Sequence, residues 1–399
     1  MKSIKNIYKI GNGPSSSHTV GPYNAALIFK NRYPDADSFE VTLYGSLAYT
    51  GEGHGTTKAI LSVIPDCVVL SDKDEKDLPH PNTMLFRAYK INELIGENRI
   101  FSIGGGSISI EGEISDDEKE IYSEKNFTEI IEECKKNNIS LVDFIYMKEG
   151  EQLKDYLKEV WDAMKDSVER GLNTEGILPG GLNVSRKAKG LYETRCYNES
   201  SNTTKTRTIS SYAYAVSEEN ASENIVVTAP TCGAAGVIPS IFYYREFDKG
   251  YPEDEIIDAL AVAGLIGNVI FTNASISGAK CGCQAEIGSA CSMAAAGLAQ
   301  LYHLSIDEIE YAAEVAMEHN LGLTCDPIMG LVQIPCIERN AVAAMRAISS
   351  VDLSRFLYKT RKISFDQIVE TMYQTGLDMN DKYKETSHGG LAQIYKSVE

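Results

Sequence analysis

Apolar residues recur along this chain at two spacings, and the change of spacing divides it. After Pro22 the segment PYNAALIFKNRY carries apolar positions at helical intervals, with proline in the first turn, where a helix accommodates it. From Phe39 the period shortens to two. Phe39, Val41 and Leu43 share one face and Glu40, Thr42 and Tyr44 the other, which predicts a half-buried strand. CVVL from Cys67, MLFRAYKI from Met84 and RIFSI from Arg99 predict further short strands, the last running into Gly104, Gly105 and Gly106. A helix is predicted around residues 127–137.

The second half reads as nearly all helix. Residues 153–168 have helical spacing and Gly171 ends them. Ser305 with Glu308 forms a capping box ahead of IDEIEYAAEVAMEHN; Ser364 with Gln367 repeats the device, with Gly376 predicted just past that helix's end. SACSMAAAGLAQL and residues 259–271 are rich in small and apolar residues, which suits closely packed central helices. The pattern is α+β: a small α/β unit over residues 1–150, then an all-α unit over 151–399, divided at the charged stretch 149–159. No repeat or low-complexity tail is present in the sequence.

Charge and cysteine content narrow the function classes. The 38 basic and 56 acidic residues give a net charge of −18, which argues against nucleic acid or an anionic membrane as partner. The first residues carry no apolar signal-like core, and the 259–271 run is expected to be a buried helix too short to span a bilayer. Nine cysteines in no regular framework fit a reducing compartment. Cys67 and Cys134 lie in apolar contexts and read as packing.

Three cysteines read differently. Cys283 lies in KCGCQAEIGSACSMAAAG, Cys325 and Cys336 in EHNLGLTCDPIMGLVQIPCIERNA, all among glycines, prolines and polar residues. Any one of them alone could be a buried apolar residue. Together they read as ligands to a metal or cluster, and three thiolates leave a tetrahedral corner open, as a Lewis acid requires. Cys232, Cys281 and Cys291 read as structural: Cys281 is too close in sequence to Cys283 to share one ion, and the other two sit at small-residue helix positions.

Four loops stand out beside them. GPSSSHTVGP, residues 13–22, places three serines, His18 and Thr19 before a helix, ground for an anion or simply a serine-rich cap. GEGHGTTKAI, residues 51–60, frames His54 with glycines, leaving an imidazole free to act as a base or to lie at a surface turn. VVTAPTCGAAGVIPSI passes from an extended run into a helix. The triple glycine at 104–106 lacks the rest of a phosphate-binding pattern.

These loops, with FSIGGG, GILPGGLNV, NASISGA, GLVQIPCIERNA and the late YKETSHGG, occur in one order that covers nearly the whole chain. In that order the sequence resembles the iron–sulfur-dependent L-serine dehydratases in their single-chain form. The resemblance implies a small N-terminal domain similar to allosteric substrate-binding domains, fused to an all-helical catalytic domain. It implies a four-iron–four-sulfur cluster held by Cys283, Cys325 and Cys336 with one iron open, and it brings His18, His54 and the first-loop serines to the active site. It further implies L-serine as substrate, with a homodimer and a cytoplasmic location as expectations. The chain departs from the family pattern in having no cysteine after Cys336 to reach the open iron, in His388 where arginine is usual, and in Met329 and Ala285 where glycine is frequent.

The reaction fits these residues. Serine loses a proton from Cα and hydroxide from Cβ; a Lewis acid assists the second and a histidine can perform the first. His54 is the preferred base because glycines frame it, with His18 second because hydroxyls crowd it. Ser15, Ser16, Ser17 and Thr19 are expected to hold the substrate carboxylate, and Arg339 either assists them or braces the cluster loop. Threonine deamination and cysteine desulfuration are alternatives on the same scaffold. No convincing lysine loop supports a pyridoxal-phosphate enzyme, and a structural zinc or redox-sensing role leaves the histidine loops unexplained.

Overall fold

The structure, a computed structural model, describes residues 1–51, 53–113 and 120–395. The alternating segments form a five-stranded sheet from β2 (Ser38–Tyr44), β3 (Val68–Asp72), β4 (Thr83–Lys90), β5 (Glu93–Gly104) and β6 (Ser107–Ile110). A short β1 (Ile10–Asn12) precedes them and pairs elsewhere. The sheet order is β3-β2-β4-β5-β6, parallel between β2 and β3 and antiparallel elsewhere.

Its period of two has the predicted consequence. Val41, Leu43, Phe86 and Ile100 are buried with Ala25, Phe29 and Ile60 from the helices Gly21–Arg32 and Thr56–Val63. On the strands' polar positions Arg87 reaches Glu40 and Glu97, both at 2.8 Å, a charge ladder across three strands. The triple glycine is the β5–β6 turn, with φ of 106°, 58° and 82°, so its glycines serve chain reversal, and it leans on Ile276.

The second half is helical as its spacing predicts. Both capping boxes form, at Ser305–Glu308 and at Ser364–Gln367. The apolar run 259–271 lies within the helix Glu253–Asn273, whose 21 residues are long and apolar enough to cross a membrane, contrary to the expectation of too short a segment. That helix is nonetheless a core element: Leu260, Ala263, Ile266 and Ile270 are fully buried beside the helix Ser289–Leu301.

Gly376 does not end its helix, which continues to Asp378; it is the contact point with Cys281, where a side chain would not fit. The segments before and after the sheet unit pack into the helical core. Phe127, Ile130, Phe144 and Ile145 bury their faces in the helical core, as do Ile4, Ile7 and Tyr8 from the first residues, while the sheet's own core ends at Ile110. The amphipathic helices Phe127–Asn137 and Leu141–Glu149 find their apolar partner there and not on the sheet. Near the start, β1 pairs antiparallel with β7 (Ile225–Val227), so the loop after β1 is carried to the helical region.

Candidate active site

The serine loop follows β1 and folds as one wide helical turn, Ser16–Val20. Ser15 Oγ caps it by accepting from the His18 amide at 3.1 Å. The second loop crosses the first through a reciprocal pair of bonds. Thr19 Oγ1 donates to the His54 carbonyl at 2.6 Å, and Thr56 Oγ1 donates to the His18 carbonyl at 2.6 Å. The rings of His18 and His54 consequently meet edge to face, 4.5 Å between centroids, both fully buried.

The two histidines have opposite surroundings. His18 Nε2 lies 3.0 Å from Ser46 Oγ and 2.9 Å from Thr50 Oγ1. Those hydroxyls give their own protons to the Glu385 and Ser46 carbonyls, at 3.1 and 2.8 Å, so each offers Nε2 a lone pair. Nε2 therefore carries the proton, and His18 Nδ1 turns a lone pair toward Ser15 Oγ and Glu385 Oε1, each at 3.4 Å. Among the described residues, neither nitrogen of His54 has a hydrogen-bond partner. Burial holds His54 near a pKa of about 4, and burial together with the neighbouring His54 holds His18 well below its usual value, so both are neutral at pH 7.

The cysteine loops close over this pair. A Cβ at Gly53 would lie 3.1 Å from the Gly330 carbonyl and 3.2 Å from that of Met329, so glycine permits the histidine loop to press on the turn after Cys325. Glu385 joins the two halves: its carboxylate faces His18 while its amide donates to the Cys325 carbonyl at 2.8 Å. Cys283 precedes the turn Gln284–Gly288 that leads into a central helix, and Cys336 is the first residue of the helix Cys336–Leu357, whose positive end favours a thiolate.

The three thiols lie within electrostatic reach of one another. Burial raises each: Cys283 to about 11, Cys325 and Cys336 further; Glu286 adds to the effect at all three and Glu385 at Cys325 and Cys336. Arg339 lies beside the thiols, and its guanidinium reaches the Thr324 carbonyl at 2.6 Å and Asp326 at 3.5 Å. Both contacts tie it to the residues that flank Cys325. So acidic a pocket needs positive charge before its thiols can ionise, and bound iron would supply it. Three buried sulfur donors near one another, with the Arg339 guanidinium beside them, have the donor chemistry of an iron–sulfur cluster and also of zinc, so the residues present fit the cluster that the resemblance implies.

The remaining predicted residues divide by occupation. Ser15 and Thr19 spend their hydroxyls on the loops, while Ser16 Oγ is buried with no hydrogen-bond partner among the described residues and Ser17 is buried next in sequence. Cys232, Cys281 and Cys291 are buried in the helical core, Cys291 donating to the Ala343 carbonyl. His388 is exposed against Tyr49, and Met329 is 58% exposed on the turn that meets Gly53. Ala285 is core. Sequence reasoning missed Glu286, Glu385, Ser46 and Thr50. The available signal was a carboxylate within otherwise small or uncharged motifs, QAEIG and KETSHGG. A cavity of about 500 Å³ opens beside Thr19 and Gly55, and Lys58 and Glu223 form an ion pair at its wall.

Comparison with known proteins places the chain in a family. Residues 90–392 match the serine dehydratase alpha chain and residues 3–65 the serine dehydratase beta chain. The chain is 40% identical to L-serine dehydratase TdcG of Escherichia coli (strain K12), covering 98% of this chain and 99% of that protein. It is likewise 40% identical to an L-serine dehydratase of Haemophilus influenzae, over 98% and 99% of the two chains. With one of Streptomyces coelicolor it shares 39% identity over 98% of each. A site assembled from both matched portions, and similarity over nearly the full length, lead to one conclusion: the chain belongs to the serine dehydratase family, with its beta- and alpha-chain portions joined in one polypeptide.

Proposed function

We propose that this protein converts L-serine to pyruvate and ammonia, with a four-iron–four-sulfur cluster on Cys283, Cys325 and Cys336 and with His54 as the base. The observation that carries the reading is the fully buried His54 imidazole, without a hydrogen-bond partner among the described residues, on a loop held against the turn after Cys325. When bound, the cluster supplies a Lewis acid at its one iron without a protein ligand.

The protein's own groups perform the rest. His54 is neutral and has a free lone pair, so it takes the proton from Cα. A carboxylate bound beside it opposes the effect of burial and raises its basicity toward neutral pH. Ser16 Oγ, with no partner of its own, donates to that carboxylate, while Ser15 and Thr19 hold the loop in shape. Burial of both histidine loops excludes water from the reacting carbons. Loss of the α-proton and the β-hydroxide leaves an enamine, which becomes pyruvate and ammonia by tautomerisation and hydrolysis without help from the protein.

Anaerobically prepared protein should contain about one four-iron cluster per chain and form pyruvate from L-serine. Parallel assays with L-threonine and L-cysteine distinguish deamination of a longer side chain and desulfuration. Zinc without sulfide, or no pyruvate from a protein carrying its full cluster, would overturn the reading.

A further inference from the structure

The pair of histidines has a second chemical capacity that catalysis does not require. Among the described residues, the ligand atoms of His18, His54 and Glu385 all lie within 4.8 Å of one another, and all three residues are buried. His18 Nδ1 and Glu385 Oε1 are 3.4 Å apart, matching the roughly 3.4 Å between ligands on a tetrahedral zinc ion. Both nitrogens of His54 and Glu385 Oε2 are buried without a hydrogen-bond partner among the described residues. The orientation of His18 is fixed from behind. Ser46 and Thr50 accept its Nε2 proton and leave Nδ1 aimed at the carboxylate, the arrangement by which outer groups orient a ligating imidazole.

We infer that His18, His54 and Glu385 form a binding site for a divalent transition-metal ion of the zinc class, distinct from the three-cysteine site. Two imidazoles and one carboxylate suit zinc, and three protein ligands leave a fourth position for water. An ion there takes the lone pair of His54 that serine needs, so occupancy stops turnover. Ser46 and Thr50 are positioning residues for this site because they act through His18. The inhibition rests on His54 being the base; the binding does not.

The test uses the full chain with its cluster in place, so that the cysteines are engaged. Zinc bound per chain is measured by equilibrium dialysis, and its ligands by X-ray absorption at the zinc edge. We expect one zinc per chain with only nitrogen and oxygen ligands at about 2.0–2.2 Å and no sulfur at about 2.3 Å. Glu385→Gln and His54→Ala should lose the ion, and Thr50→Val, which keeps shape and removes only the hydroxyl, should weaken it about 10–100-fold. Initial rates with serine should fall in proportion to zinc bound. Absence of stoichiometric zinc, sulfur in its shell, or undiminished affinity in Glu385→Gln and Thr50→Val would overturn the site. Zinc bound as described with no loss of serine turnover would keep the site and remove His54 from catalysis.

Discussion

Gly376→Ala puts a single methyl group against the segment that positions Cys283, a proposed cluster ligand. The added Cβ would lie 2.5 Å from Cys281 Cβ, 2.6 Å from its Sγ and 2.8 Å from its Cα, and must retreat to at least 3.4 Å for ordinary contact. Cys281 cannot simply move. Its amide donates to the Ser277 carbonyl at 3.0 Å, and its carbonyl accepts from Gln284 Nε2 at 2.9 Å. The next residue, Gly282, has φ +73° and meets the Leu323 carbonyl and Met379, so the turn to Cys283 has no slack. Overpacking of this kind costs about 1–3 kcal/mol. Alanine recovers about 1 kcal/mol in helix propensity. Because a backbone atom is among the clashes, the cost falls at the upper end, for a net loss of about 2 kcal/mol. Gly190→Ala is the control: it too lies in a helix, but with nothing within 4 Å of its Cβ, so it should be neutral or stabilising by up to about 1 kcal/mol. Thermal melts of both variants, with iron and sulfide per chain, check this. Gly376→Ala should melt lower and hold less iron. Equal melting points and full iron in both variants would refute the argument.

Three further outcomes follow from the same geometry. Serine in place of Cys283, Cys325 or Cys336 should abolish or sharply reduce the brown chromophore, while Cys67→Ser and Cys134→Ser should keep it, as visible spectra under anaerobic conditions will show. Asn340→Ala strands the Gly236 amide and the Gly233 carbonyl, which Asn340 satisfies at 3.0 and 2.8 Å; about 1–3 kcal/mol should be lost in denaturant midpoints. His54 has a folded pKa of about 4 against 6.5 when exposed, so the unfolded chain binds its proton first and stability falls as pH drops from 6.5 toward 4. That one residue accounts for about 3 kcal/mol of the fall, and His54→Ala should flatten a plot of stability against pH by that amount.

Local rules made much of the fold legible. The period-two strands, the helix Phe127–Asn137 and both capping boxes depend on neighbours a few residues apart, and they formed where those neighbours placed them. Gly376 misled because glycine serves equally to end a helix and to admit a close neighbour, and only the approach of Cys281 distinguishes the two. The pairing of Ile10 with Val227 joins residues far apart in sequence, and no periodicity encodes it. At the site, glycine-framed histidines and cysteines in polar turns were visible as residue types. Glu385 was not, because its importance comes from a backbone bond to Cys325 and a carboxylate facing His18. Ser46 and Thr50 matter for the direction in which they pass their protons, which a sequence does not display.

The account rests most on His54 as the base beside a cluster that does not depend on it. The direct measurement is turnover of L-serine by His54→Ala prepared anaerobically, with iron and sulfide determined on the same sample. The account predicts full iron and sulfide with a loss of about two to four orders of magnitude in kcat. Turnover near that of the unaltered enzyme, at full cluster content, would contradict it.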